Sequence, residues 1–266
     1  MAEITAKLVN ELRARTGQGM MECKKALMET GGDLEKAEDW FRKKGIKTSV
    51  LSRQATEGRV AVAVSADGRV GAIVEVLCNT DFTARSEPIG RIAAAATALL
   101  LADPVAQVAA NPDVQALVVS AAQQTGENVQ IGRCAVLSAG SGRVGGYQHY
   151  TGRVGVLVAA TGNPGDELLR DLCLHIAAAR PLAVNRESLP PELVAREREI
   201  AVEQAKASGK PQNIAEKIAE GKLRTFYEEK VLLEQKFVKD DKKTVGQLLQ
   251  SAGAGVEKFV RFEIGQ

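Results

Sequence analysis

The spacing of apolar residues along this chain changes from helical to alternating and back. Over the first fifty residues it is helical. Ile4, Leu8 and Leu12 share one face, "MMECKKALMET" is a second helical stretch, and Leu34, Ala37, Trp40 and Phe41 mark a third. "GQG" and "GGD" break the pattern between them, and Asp33 is placed to cap the last helix. This predicts a three-helix unit over 1–46 built around the single tryptophan, then a polar, aperiodic linker over 47–57. From Gly58 the period becomes two. Val60, Val62 and Val64 alternate, Ala66-Asp67-Gly68 supplies a tight turn, and Ile73-Val74-Glu75-Val76 continues as a mostly apolar strand.

This strand pattern occurs twice. "GRVAVAVSADGRVGAIVEV" starts at Gly58, and "GRVGGYQHYTGRVGVLVAA" starts 84 residues later at Gly142. "IAAA" at Ile92 recurs at the same offset, at Ile176. Each copy predicts strand, turn, strand and helix, closed by a third strand, "VQIGRCAVLS" or "EKFVRFEIG". Aligning Arg133 with Arg261 gives an offset of 128 for that strand, so the second copy carries about 44 extra residues. The extra text, 190–235, is highly charged, with Ile200, Ala201, Ala205, Ile214, Ile218 and Leu223 at helical spacing on either side of "SGKP". The expected fold class is α+β: an N-terminal three-helix domain, two repeated α+β subdomains over 58–139 and over 140–189 with 236–266, and an inserted antiparallel helical hairpin. The hairpin's narrow apolar stripe can be satisfied internally or can pair with a second subunit, making a homodimer, and the pattern alone leaves both open.

Composition narrows the chemistry. Aromatic residues are only 4% of the chain, so the core must be Val, Ala, Leu and Ile. A net charge of +2 gives no electrostatic case for nucleic acid or an anionic membrane, and Arg42-Lys43-Lys44 reads as a solvated helix end. The apolar run near 92–102 is too short and alanine-rich to span a bilayer, and "MAEITAKLVNELR" lacks the apolar core of a signal peptide. Cys23, Cys78, Cys134 and Cys173 are widely spaced, which suggests free buried thiols in a reducing, cytoplasmic setting. His149 and His175 are the only histidines, too few to make a zinc site with such scattered cysteines, so no metal is expected.

Enzymatic motifs are also missing. "GSGRVG" (140–145) matches a dinucleotide-binding pattern, but a strand follows it where a helix is needed. There is no Gly-Lys-Ser/Thr phosphate loop, and neither histidine has a recognisable Ser or Cys partner. No cofactor and no catalytic residues are expected. His175 lies among apolar residues at helical spacing and reads as a core or interface histidine. His149 sits in a turn between Tyr147 and Tyr150, a good place for a surface contact. In "LCNTDFTARSE", Phe82 could be folded back into a local core or offered outward; it follows Asp81 in a loop bounded by polar Asn79, Thr80 and Arg85, which predicts the outward orientation.

Two stretches bring a family into view. "LRARTGQGMMECKKAL" (12–27) closely resembles the N-terminal signature of bacterial elongation factor Ts, and "EVLCNTDFTAR" (75–85) is similar to that family's second signature. The repeat, the hairpin and the small first unit extend the resemblance over the whole chain. Leu77, Asn79 and Thr83 depart from the residues the family usually has around Thr80-Asp81-Phe82. The resemblance implies a guanine-nucleotide exchange factor for the GTPase elongation factor Tu, with a ubiquitin-associated-like first domain. It implies that Met20, Met21 and Lys24 meet a helix of the GTPase nucleotide domain. Thr80, Asp81 and Phe82 would enter near its magnesium and phosphate site, and His149 would approach another of its domains. A C-terminal helix that many members carry beyond this point is not expected after Gln266. The competing expectation is a structural or dimerising scaffold without exchange activity.

Overall fold

The structure is a computed structural model that describes residues 4–44, 55–209 and 211–266. Its first three helices are α1 (Ala6–Thr16), α2 (Met20–Glu29) and α3 (Leu34–Lys43). Gly17, at φ 68°, ends α1, and the Asp33 carboxylate caps α3 by accepting from the Lys36 amide at 3.1 Å. Leu12, Cys23, Ala26, Leu27, Ala37 and Phe41 form the buried centre. Trp40, expected at that centre, is only half-buried. It meets Phe41 edge-on at 5.3 Å, and the Lys44 ammonium lies 3.7 Å over its ring. The smaller ring fits inside, while the indole keeps one face for a cation. Ile4 precedes the helix cap Thr5 and packs only partly against the cluster. Most of the expected linker, 47–54, lies outside the described residues.

The rest of the chain mixes helices with antiparallel sheets, an α+β arrangement. β1 (Glu57–Val64), β2 (Val70–Cys78) and β3 (Gln130–Ser138) form one sheet in that order. β4 (Arg143–Gln148), β5 (Val154–Thr161) and β8 (Gly255–Glu263) form another. Between β2 and β3 run α4 (Asp81–Ala84), α5 (Glu87–Ala102) and α6 (Pro112–Thr125). Between β5 and β8 run α7 (Asp166–Ala179), α8 (Pro191–Ala207) and α9 (Gln212–Lys230). A ribbon of β6 (Lys236–Phe237) with β7 (Asp240–Thr244) and the short α10 (Val245–Ser251) follow. The ribbon was not anticipated from the sequence pattern. Among the described residues no helix is long and apolar enough to cross a membrane.

The two sheets pack face to face. Val60, Ile73, Leu137, Val144, Leu157 and Phe262 fill the layer between them. On the far face of the first sheet, Ala72, Val74 and Val76 meet Ile89 and Ile92 of α5 and Val118 of α6. On the far face of the second, Val156, Val158 and Ala160 meet Leu172 and Ile176 of α7 and Leu249 of α10. Both faces of β2 and β5 are therefore covered, which is why these strands read as apolar runs rather than alternating ones. The approach of the sheets depends on Gly71 and Gly155, which lie 84 residues apart. A Cβ on Gly71 would come within 2.6 Å of Val144, and one on Gly155 within 2.5 Å of Val60. The repeated Gly-Arg-Val-Gly thus has a steric cause.

The third strands align differently from the sequence expectation. Val74 pairs with Cys134, and its counterpart Val158 pairs with Phe259. Beyond a bulge at the same place in both sheets, Val76 pairs with Ile131 and Ala160 with Val256. Both comparisons give an offset of 125 (259 − 134 and 256 − 131), so the second copy is longer by 41 residues, not 44. The backbone ladder sets register, and a shared residue type does not. Arg133 and Arg261 accordingly do different work. Arg133 pairs with the buried Glu75 at 2.7 Å and lies 4.7 Å over the Phe262 ring. Arg261 donates to Glu263 at 2.5 Å and to the Ala177 carbonyl.

α8 and α9 run against each other as an antiparallel pair with an alanine seam: Ala201, Ala205, Ala215 and Ala219 are buried. Ile200 and Ile214, expected in the stripe, are 40% and 43% exposed. Small residues let the helix axes approach closely, and the isoleucines lie one position to the side. At the base, Leu193, Val194, Phe226 and Tyr227 pack on Ala183, Leu189 and Val231. Leu232 already belongs to the core beside α7, so the chain rejoins the sheet layers directly after Lys230.

Of the thiols, Cys23, Cys78 and Cys173 are buried, but Cys134 is exposed on the edge strand β3, contrary to the expectation of four buried thiols. Burial pushes the Cys173 thiol up to about 12. The Cys78 thiol also rises to about 12, through burial first and then the nearby Glu127 charge.

Candidate functional site

Strand β2 ends in a turn that presents one aromatic ring to solvent. Thr80 caps α4, with its hydroxyl accepting from the Thr83 amide at 3.3 Å. Thr83 and Ala84 face inward and are buried, while Phe82 on the other side of the same turn is 84% exposed. The ring has the outward orientation expected from its polar loop. Asp81 does not point freely away. It pairs with Arg85 at 3.0 Å, one helical turn on, with both side chains largely solvated. Such a pair contributes about 0.3–0.5 kcal/mol and is readily exchanged for another partner.

A helix of four residues has too few internal bonds to hold itself. What holds this one comes from 47 residues further along. Glu127 accepts from the amides of Asn79 at 2.9 Å and Thr80 at 3.0 Å, and from the Thr80 hydroxyl at 2.6 Å. In return the Asn79 side-chain oxygen accepts from the Asn128 amide at 2.8 Å. Partial burial raises the Glu127 carboxyl, but hydrogen bonds from the Thr80 and Thr83 hydroxyls and the Thr80 and Asn79 amides outweigh it and hold the group below its usual range. Glu127 and Asn128 were missed by sequence reasoning. The only local signal was a polar Gly-Glu-Asn step where α6 ends, at Gly126 with φ 67°.

Met20, Met21 and Lys24 stand at the start of α2, whose opposite face buries Cys23, Ala26 and Leu27. Met20 is 50% and Met21 76% exposed, and Lys24 is exposed. Met28, one turn beyond Lys24, is also exposed and extends this soft apolar strip; sequence reasoning passed over it.

His149 lies in the turn between β4 and β5. Its Nδ1 is 2.7 Å from the Thr151 hydroxyl and accepts from the Thr151 amide at 3.4 Å. Tyr150, almost fully exposed, lies 4.4 Å from the imidazole, and Tyr147 lies 6.3 Å away. The seven candidate residues thus fall on three elements: α2, the α4 turn and the β4–β5 turn.

His175 is fully buried on α7. Its Nδ1 accepts from the Val238 amide at 3.3 Å and its Nε2 faces the Gln235 carbonyl oxygen at 2.9 Å. Gln235 in turn donates to the carbonyls of Ala179 and Glu229. Burial lowers the pKa of the ring, partly opposed by the Gln235 bond. It locks the end of α9 to α7 and is not presented for chemistry.

The arrangement offers an exposed aromatic on a braced turn, a methionine strip and an aromatic-flanked histidine, features of the kind that suit a protein-binding surface. Comparison with known proteins points to one family. The family model described as Elongation factor TS matches residues 54–266. The elongation factor Ts of Methylococcus capsulatus is 45% identical over 99% of this chain and 92% of its own length. That of Thioalkalivibrio sulfidiphilus is 44% identical over 99% and 92%, and that of Symbiobacterium thermophilum is 44% identical over 100% and 93%. With a family model covering most of the chain and relatives matched nearly end to end, this chain belongs to the elongation factor Ts family.

Proposed function

We propose that the Thr80-Asp81-Phe82 turn is the exchanging element of this chain, which acts as the guanine-nucleotide exchange factor of the translational GTPase elongation factor Tu. The observation that carries this reading is Phe82, 84% exposed on a turn whose neighbours Thr83 and Ala84 are buried. An exposed phenylalanine contributes little to folding, and a partner pocket gains its transfer free energy. Asp81 leaves its solvated pair with Arg85 and meets the polar groups around the partner's magnesium. Met20, Met21 and Lys24 grip a helix of the nucleotide domain, and His149 with Tyr150 contacts a second domain.

The energetics follow from linkage. A factor that binds the empty GTPase more tightly than the loaded one weakens nucleotide binding by the same factor. Speeding release by about ten-thousand-fold lowers the barrier by roughly 5.5 kcal/mol. Full burial of one phenylalanine supplies about 2–3 kcal/mol. Phe82 therefore acts together with displacement of the magnesium shell, while the other contacts hold it in place.

The separate cluster of the first three helices supports a ubiquitin-associated-like unit over 1–46, and the cluster at the hairpin base supports a helical insertion; each repeated subdomain has its own helix-facing cluster, with one shared layer between the sheets. Translation is carried out in the cytoplasm, where free thiols such as these persist. The half-exposed Ile200 and Ile214 favour a secondary role for the α8–α9 pair in homodimer contact. The test is release of labelled GDP from elongation factor Tu on adding the full chain. Strong acceleration supports exchange. Formation of a complex or dimer with no acceleration supports the scaffold reading instead.

A further inference from the structure

The brace beneath the exposed phenylalanine lies outside the Thr80-Asp81-Phe82 turn itself. Glu127 is one residue beyond the glycine that ends α6, far from the turn in sequence but within 3.0 Å of three of its donors. We propose that Glu127 is a positioning residue for nucleotide exchange, fixing the turn that carries Phe82 in the conformation that enters the GTPase. This rests on the wedge reading above and extends it to a group that lies outside the turn and bonds Asn79 and Thr80.

The argument is one of preorganisation. Left to itself, a four-residue helix after a strand samples many conformers, and ordering it on binding subtracts from the interaction. Glu127 removes that cost before the partner arrives. It takes both amides at the end of β2 and the hydroxyl of the α4 cap, so the cap geometry and the direction of Phe82 are set together. The reciprocal Asn79–Asn128 bond closes the clasp from the other side. Hydrogen bonds to an ionised acceptor are stronger than neutral ones, which suits a carboxylate to this place. Because Met20, Met21 and His149 lie on other elements, the complex can form with the turn loose, and the loss appears when the wedge must act.

The test uses full-length chains carrying Glu127→Ala, Glu127→Gln, Phe82→Ala and the Ala/Ala double change. Stopped-flow release of fluorescent GDP from elongation factor Tu is followed against factor concentration, beside a melting curve for each chain. Glu127→Ala should lower the maximal release rate about tenfold and move the half-saturating concentration by less than about twofold. Glu127→Gln keeps one acceptor oxygen and should fall between; it also serves if the alanine variant folds poorly. The double variant should be no slower than Phe82→Ala, since Glu127 acts through that ring. Normal maximal release by folded Glu127 variants, or losses that multiply in the double variant, would overturn the assignment while leaving the wedge intact. Normal release by Phe82→Ala would overturn the wedge itself, and the positioning role with it.

Discussion

At the scale of single residues, exposure separates contact from packing. Met20 and Met21 share α2 with the fully buried Leu27, yet they lie on its solvent side. Replacing both with Ala should shift the melting temperature by less than about 2–4 °C, as surface changes away from the core do. Affinity for the GTPase should fall about tenfold or more, read by titration calorimetry; a large melting shift with normal affinity would place them in the core. His175 behaves in the opposite way. Its folded pKa lies below the unfolded 6.5, so the unfolded state takes up protons first as pH falls. Its contribution is complete above about 6.5 and is lost as pH drops from there towards the folded value. The stability gap between the wild type and His175→Gln should therefore narrow between neutral and mildly acidic pH in urea titrations. A constant gap would contradict the neutral buried ring. Phe82 was legible in the sequence because it stands beside Asp81 among polar residues. Glu127 was not, because it is one of 33 acidic residues and its partners are fixed only by the fold.

At the scale of elements, the repeat was legible through its glycines, and the structure supplies their cause. Gly155 sits where the second sheet meets Val60, Val62 and Ile73 of the first. Gly155→Ala should destabilise the chain by about 1–3 kcal/mol through overpacking, with the denaturation midpoint as readout. An unchanged midpoint would mean that the sheets can separate freely. The α8–α9 pair was legible as two helices, and Ala201 and Ala205 stood in its expected stripe, but Ala215 and Ala219 on the α9 side did not, since Ile214 and Ile218 drew attention away from them. The register of the third strands was also hidden, because matching arginines suggested one alignment and the hydrogen-bond ladder uses another. Packing at the hairpin base defines where it can be removed. Val231 closes the cluster at the hairpin base, Leu232 is buried beside α7, and Gln235 bonds His175. Excising 195–224 with a short glycine linker should therefore leave the sheets folded, with a cooperative melt retained. Loss of cooperative unfolding would show that the pair is part of the core.

At the scale of the whole molecule, two sheets back to back, each faced by helices, make a stiff frame, and the candidate contact residues sit at its turns and on a separate helical cluster. On the wedge reading, the sheet frame that carries both the β4–β5 turn and the α4 turn would let binding energy gained at the first be applied at Phe82. The central claim is that Phe82 is a wedge and not a core residue. It is tested most directly by measuring, on Phe82→Ala, both the denaturation curve and the rate of GDP release from elongation factor Tu. The account predicts a stability change well under the roughly 3–5 kcal/mol of a buried phenylalanine, and release slowed at least about tenfold, which corresponds to about 1.4 kcal/mol of lost contact. Severe destabilisation with normal exchange per folded molecule would contradict it.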